Sequence, residues 1–110
     1  MATLARDPHF ERTAGLIRDP RHGFERVYLF AAVGYMKDPR AVELCLELLE
    51  DEQLGMAALR ALADLKSERA RSALERIAAE PTSRGRTDAA QRQRDRVRLA
   101  ENGLRKLDRA

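Results

Sequence analysis

The side chains able to perform chemistry are few, and they do not converge. The 110-residue chain has two histidines, His9 and His22, one cysteine, Cys45, and three serines, Ser67, Ser72 and Ser83. A zinc site needs imidazoles, thiolates or carboxylates at ligand spacing, such as a His pair at i and i+4, and neither histidine has such a partner. A serine nucleophile needs an adjacent base, and no histidine stands near any of the three serines in sequence. Cys45 falls on the apolar stripe of a helix-forming segment, where a thiol serves as a small core residue rather than a nucleophile. Glu43, Glu47 and Glu50 form a row at helical spacing, which is a solvated face unless burial and convergence split their pKa values. Gly85 in Ser83-Arg84-Gly85-Arg86 is a lone turn glycine and does not make a phosphate loop. No cofactor and no metal is implied, and the expected class is not an enzyme.

What these residues sit on is helix. Charged residues make up 35% of the chain and aromatics 5%, with Ala, Leu, Arg and Glu prominent. These are helix formers, so an all-α domain spanning residues 1–110 is expected. Asp7-Pro8, Asp19-Pro20 and Asp38-Pro39 read as helix starts. An N-cap Asp accepts bonds from orphan backbone N–H groups, and Pro at the first helical position leaves none unsatisfied. The apolar periodicity predicts helices over roughly 8–18, 21–36, 39–50, 52–65, 67–80 and 87–108. The inward stripes expected are Phe10, Ala14 and Ile17 on the first, Val42, Cys45, Leu46 and Leu49 on the third, and Leu54, Ala58, Ala61, Leu62 and Leu65 on the fourth. The fifth turns Ala70, Ala73, Leu74 and Ile77 inward, and the last Val97, Ala100, Leu104 and Leu107. Residues 1–20 are expected to cap one end of the stack, and 81–110 to form a basic capping helix at the other. The N-terminus has no apolar leader segment, and the longest apolar stretch, Val27 to Met36, falls short of the roughly 20 residues that span a bilayer. With a single cysteine besides, a cytoplasmic protein with no membrane partner is the expectation.

The helices repeat. Sliding the chain by 29 residues lays Lys37-Asp38-Pro39-Arg40-Ala41 on Lys66-Ser67-Glu68-Arg69-Ala70, and pairs Phe30 with Leu59, Val33 with Leu62 and Met36 with Leu65. A period of this length marks stacked helix hairpins, each needing its neighbours to bury its apolar face. The stretch Asp38-Pro39-Arg40-Ala41-Val42-Glu43-Leu44, continuing through Leu46, Leu48, Leu49, Glu50 and Asp51, resembles the opening helix of short bacterial HEAT-like repeats, the type also found in phycobilisome lyases. Ala57-Ala58-Leu59-Arg60-Ala61-Leu62-Ala63-Asp64-Leu65 is similar to their second helix. The likeness is strongest over residues 24–80. It implies an α-solenoid of about three antiparallel helix hairpins. It also implies a protein-binding scaffold, although some such proteins bind DNA or tetrapyrroles. None of their functional motifs maps onto positions here.

The register also nominates a surface. On the fourth helix Gln53, Arg60 and Asp64 are predicted to face water, with Ala57 between them. Their counterparts 29 residues earlier are Phe24, Ala31, Tyr35 and, for Ala57, Tyr28. Aromatics at solvent-facing positions are typical interface anchors. Phe24, Tyr28, Tyr35, Arg60 and Asp64 are therefore the candidate residues for binding a protein partner or a second copy of the chain. An N-terminal cap folded over the rings is the alternative at this stage.

The second reading is nucleic acid. Residues 81–110 hold 9 Lys/Arg against 4 Asp/Glu, which concentrates the net charge of +3 at this end. Arg84, Arg86, Arg92, Arg94, Arg96 and Arg98 could contact a phosphate backbone or an acidic partner. No aromatics interleave with them, so base stacking is not expected. The alternative is a solvated arginine helix closing the stack, with Asp88–Arg92 and Glu101–Arg105 pairs neutralising part of its charge.

Overall fold

Several helix starts in this chain are preceded by a short polar side chain that accepts from the next backbone N–H groups. In the computed structural model, which describes residues 9–36 and 38–109, the Asp38 carboxylate accepts from the backbone N–H of Arg40 at 2.9 Å. Asp51 accepts from Gln53 and Leu54 at 2.8 and 2.9 Å, and Ser67 from Arg69 at 3.3 Å. Each satisfies donors that have no partner inside the helix. The expected start at Asp7-Pro8 lies outside the described residues, as do the side chains of Phe24, Tyr35 and Met36.

Six α-helices result: α1 (Phe10–Arg18), α2 (Arg26–Met36), α3 (Arg40–Leu48), α4 (Gly55–Leu65), α5 (Arg71–Ala78) and α6 (Asp88–Arg109), with no strand among the described residues. The boundaries differ from expectation in four places. The segment 21–36 is not one helix: Pro20–Glu25 winds as a tighter 3-10 turn, broken at Gly23 with φ 57° and ψ −144°, and α2 begins only at Arg26. Only glycine adopts that backbone without strain. The segment 67–80 likewise opens as a 3-10 turn, Glu68–Ala70, before α5. Helices α3 and α4 are shorter than predicted, because Leu49 to Leu54 form the turn that Asp51 caps. Helix α4 ends where Lys66 takes a left-handed conformation (φ 51°).

Packing follows the hairpin order. Each first helix lies against its second helix, α1 on α2, α3 on α4 and α5 on α6, and the second helices stack in the sequence α2, α4, α6. The stripe Phe10, Ala14 and Ile17 is buried as expected, and so are Ala70, Ala73, Leu74 and Ile77. Leu44 and Leu59 are also fully buried, although the single-stripe reading of their helices leaves them out. Val97, Leu104 and Leu65, expected inside, are half-buried. Each fully buried Leu, Ile or Phe contributes on the order of 1.5–3 kcal/mol of burial free energy.

The 29-residue register holds in space. Phe30 and Leu59 are both buried, as are Val33 and Leu62. Two ion pairs join residues one period apart: Glu11 with Arg40 at 2.9 Å, and Arg18 with Glu47 at 3.0 Å. The equivalence breaks at Ala32, which is exposed, whereas Ala61 is buried. Helix α4 lies between α2 and α6, but α2 has α4 on one side and α1 alone as its other helix neighbour of comparable contact.

Candidate protein-docking groove

Where α2 and α4 stack, their outward sides do not meet, and a groove of ≈ 920 Å³ runs between them. Its apolar wall comes from Val27, Tyr28 and Ala31 on α2 and from Met56, Ala57 and Ala61 on α4. Glu52, Gln53, Arg60, Asp64 and, reaching across from α6, Arg92 form the polar rim. The α4 residues recur at steps of four, a single helical strip opposite the buried Leu54, Ala58, Leu59 and Leu62. Gly34 closes the far end: a Cβ built on it would stand 3.8 Å from the Cβ of Asp64. Small residues at Ala31, Gly34 and Ala57 leave the groove open.

Tyr28 stands at the groove with 75% of its surface exposed. Leu16 is the other large apolar side chain with substantial exposure among the described residues, at 37%. The Tyr28 ring is therefore not folded under the described part of the N-terminal segment. Arg60 and Asp64 line the same groove, so three of the five residues nominated from the sequence come together. The rings of Phe24 and Tyr35 lie outside the described residues.

Among the contributors not nominated are Val27 and Met56. The signal was present, since they stand 29 residues apart and flank the Tyr28/Ala57 pair. Arg26 was also passed over. It is 6% exposed, and its guanidinium donates to the Ile17 carbonyl at 3.0 Å, the Gly23 carbonyl at 2.9 Å and the Gln53 side-chain oxygen at 2.9 Å. These bonds tie the end of α1 and the turn before α4 to the first residue of α2. Tyr28 follows two positions later on the helix that Arg26 anchors. Its counterpart one period on, Gly55, is buried too, which marks this as a position facing inward.

A second, smaller cavity of ≈ 260 Å³ lies on the other side of α4, against α6. Arg60 and Asp64 border both cavities, and Ala63, Leu99, Asn102, Arg105, Lys106 and Arg109 complete the second. Lys106 pairs with Asp64 at 2.9 Å. Arg60, Arg92, Arg105 and Arg109 are exposed, and no ion pair engages them among the described residues.

The arginines nominated for phosphate contact separate into two groups. Arg96 is held deep: it donates to Glu80 at 2.9 Å, to Glu50 at 2.9 Å and to the Leu49 carbonyl, with its side chain 15% exposed. The hydrogen bond from Arg96 holds the Glu80 carboxyl below its ordinary range. Arg94 closes the Pro81–Arg86 loop by donating to the carbonyls of Ser83 and Gly85 and to Gln91. Arg84, Arg86, Arg92 and Arg98 are exposed. The expected Asp88–Arg92 and Glu101–Arg105 pairs are absent among the described residues. Helix α6 instead sends Arg96 to Glu50 and Glu80, Lys106 to Asp64 and Asp108 to Arg71.

The remaining reactive groups stay inert or apart. Cys45 is fully buried, and desolvation pushes its thiol up to about 12. His22 lies near Asp19 on an exposed turn, 3.8 Å away. Among the described residues no three His, Cys, Asp or Glu side chains cluster in a way that could hold a metal ion. No helix there is long and apolar enough to cross a membrane.

The family model for HEAT repeats matches residues 12–93 of the chain, well over half its length. No curated protein and no solved structure matches it.

Proposed function

The chain belongs to the HEAT-repeat family, whose repeats commonly mediate protein–protein interaction, and on that premise we propose that it is a non-enzymatic scaffold or adaptor docking a protein through its second-helix surface. One observation carries this reading: Tyr28 stands three-quarters exposed beside an apolar groove whose rim is polar. A rigid aromatic next to a desolvatable pocket is the usual anatomy of an interface anchor. Val27, Met56 and Ala57 supply the apolar area, and Arg60 and Asp64 orient the partner. Phe24 and Tyr35 extend the same row by their place in the repeat. The lone buried thiol suits a reducing compartment, and the cytoplasm belongs to this reading.

The test is retention of binding partners from native-host extract on immobilised wild-type protein, compared with Tyr28→Ser and with Met56→Ala. A specific partner retained by the wild type and lost by both variants supports the groove. Undiminished retention by both removes it. A phosphate-backbone surface on α6 is the second reading, supported by the exposure of Arg84, Arg86, Arg92 and Arg98. It is weakened by the engagement of Arg94 and Arg96 within the fold. Gel-shift measurements at low and moderate salt address it, because backbone contacts fade steeply with salt.

A further inference from the structure

We infer that the occupant of the α2/α4 groove is an amphipathic helical segment whose apolar stripe is flanked by acidic residues. This deepens the docking reading above and rests on it. The argument is charge complementarity on a surface that has already been apolar-matched. The main groove and the smaller cavity share Arg60 and Asp64, and so form one continuous surface across α4. Its lining holds five cations, Arg60, Arg92, Arg105, Lys106 and Arg109, against two carboxylates, Glu52 and Asp64. One of those carboxylates is already matched by Lys106.

The contrast with the rest of the molecule makes this excess informative. Around the first helices most cations meet carboxylates: Arg18 with Glu47, Arg40 with Asp38 and Glu11, Arg69 with Glu43, Arg71 with Glu68 and Asp108, with Arg12 and Arg76 exposed outside these pairs. On the groove side Arg60, Arg92, Arg105 and Arg109 stand exposed with no such partner among the described residues. They lie to the α4/α6 side of the apolar wall, whereas Tyr28, Val27 and Ala31 lie on the α2 side. A helix laid in the groove would therefore meet apolar surface along one edge and guanidinium groups along the other. Helix-in-groove recognition reads apolar anchors at i, i+3, i+4 and i+7, and flanking charge sets specificity and approach rate. A nucleic acid would use the cations and leave the apolar wall empty. A basic segment would meet the wrong sign.

The experiment uses the full chain and three fluorescent helical peptides of about 18 residues. All carry the same Leu stripe at i, i+3, i+4 and i+7, flanked by Glu, by Gln or by Lys. Anisotropy titrations are run with the wild type, Tyr28→Ser and the double variant Arg60→Glu/Arg92→Glu, and a single-stranded oligonucleotide is titrated in parallel. The expected result is that the Glu-flanked peptide binds at least roughly tenfold more tightly than the Gln-flanked one, and that Tyr28→Ser weakens it. The double variant is expected to reverse the order, preferring the Lys-flanked peptide, which a misfolded protein would not do. Equal binding of the Glu- and Gln-flanked peptides, still lost with Tyr28→Ser, overturns the acidic specificity and leaves the groove standing. Peptide binding insensitive to Tyr28→Ser, or no peptide binding at all, overturns helix docking in the groove itself. Oligonucleotide binding stronger than that of any peptide overturns the inference in favour of phosphate recognition. A wild-type mass by light scattering of twice the chain, lost in Tyr28→Ser, overturns it in favour of a second copy as occupant.

Discussion

The two sides of the helix stack differ in how much of their charge is matched within the fold. Around the first helices α1, α3 and α5, ion pairs cross from one repeat to the next, and two of them span one period. Arg40 shows how closely matched this side is. It pairs with the fully buried Asp38 and with Glu11, and lies 4.6 Å above the Phe10 ring. On the side of α2, α4 and α6 a tyrosine and four guanidinium groups are left facing water around a groove. Exposed ion pairs add little stability, typically about 0–1 kcal/mol. Their contribution on the first side is to match neighbouring repeats in register and to leave fewer unmatched charges, Arg12 and Arg76 among them. The second side keeps more of its charge and its apolar surface available, which is why the docking site is proposed there.

The sharpest way to break the comparison uses two aromatics on α2, two residues apart. Phe30→Ala should cost about 3–5 kcal/mol in urea unfolding, because it removes a buried ring and leaves a cavity. Tyr28→Ser should change stability by no more than about 0.5 kcal/mol while abolishing partner retention. A large stability loss for Tyr28→Ser would show that its ring is structural. The next contrast lies on α6. Arg96→Ala should destabilise by about 1–3 kcal/mol, since it removes the charged donor to Glu80 and the donor to the Leu49 carbonyl. Arg92→Ala should be neutral to within about 0.5 kcal/mol.

Acid should reveal the same division. Glu80 lies below its ordinary value of 4.5 in the folded chain, chiefly because Arg96 donates to it. Its stabilisation is complete above the unfolded value and is lost as pH falls through the lowered folded value. Urea midpoints followed from neutral to about pH 3 should therefore decline below about pH 4.5, and Arg96→Ala should decline less steeply over that window. The smallest effect is expected on the first side. Glu47→Gln removes one half-exposed pair with Arg18 and should shift stability by no more than about 0.5 kcal/mol. It should leave binding of the Glu-flanked peptide unchanged.

Much of this was legible before any coordinate. The Asp38 cap, the stripes of α1 and α5, and the pairing of Phe30 with Leu59 and Val33 with Leu62 all follow from local chemistry and period; the Ser67 cap was not read. So did the placement of Tyr28, Arg60 and Asp64 on one face, because equivalent residues of stacked hairpins share surroundings. The break at Gly23 was not read, since a glycine between two helix-forming runs is compatible with either continuity or a kink. Nor was the division among the arginines: Arg92, Arg94, Arg96 and Arg98 look alike in sequence, yet Arg96 is buried against Glu50 and Glu80 while Arg92 borders the groove.

By itself, then, the sequence determined the helices, their caps and the register in which they stack, because these depend on neighbours within a few residues or one period. Tertiary structure alone decided which cations are neutralised and where the groove opens. Arg96 meets its carboxylates 16 and 46 residues away, and Arg26 meets Gln53 27 residues away. A charge is engaged or available according to what the fold brings within about 3 Å of it, and one-dimensional spacing does not encode that distance.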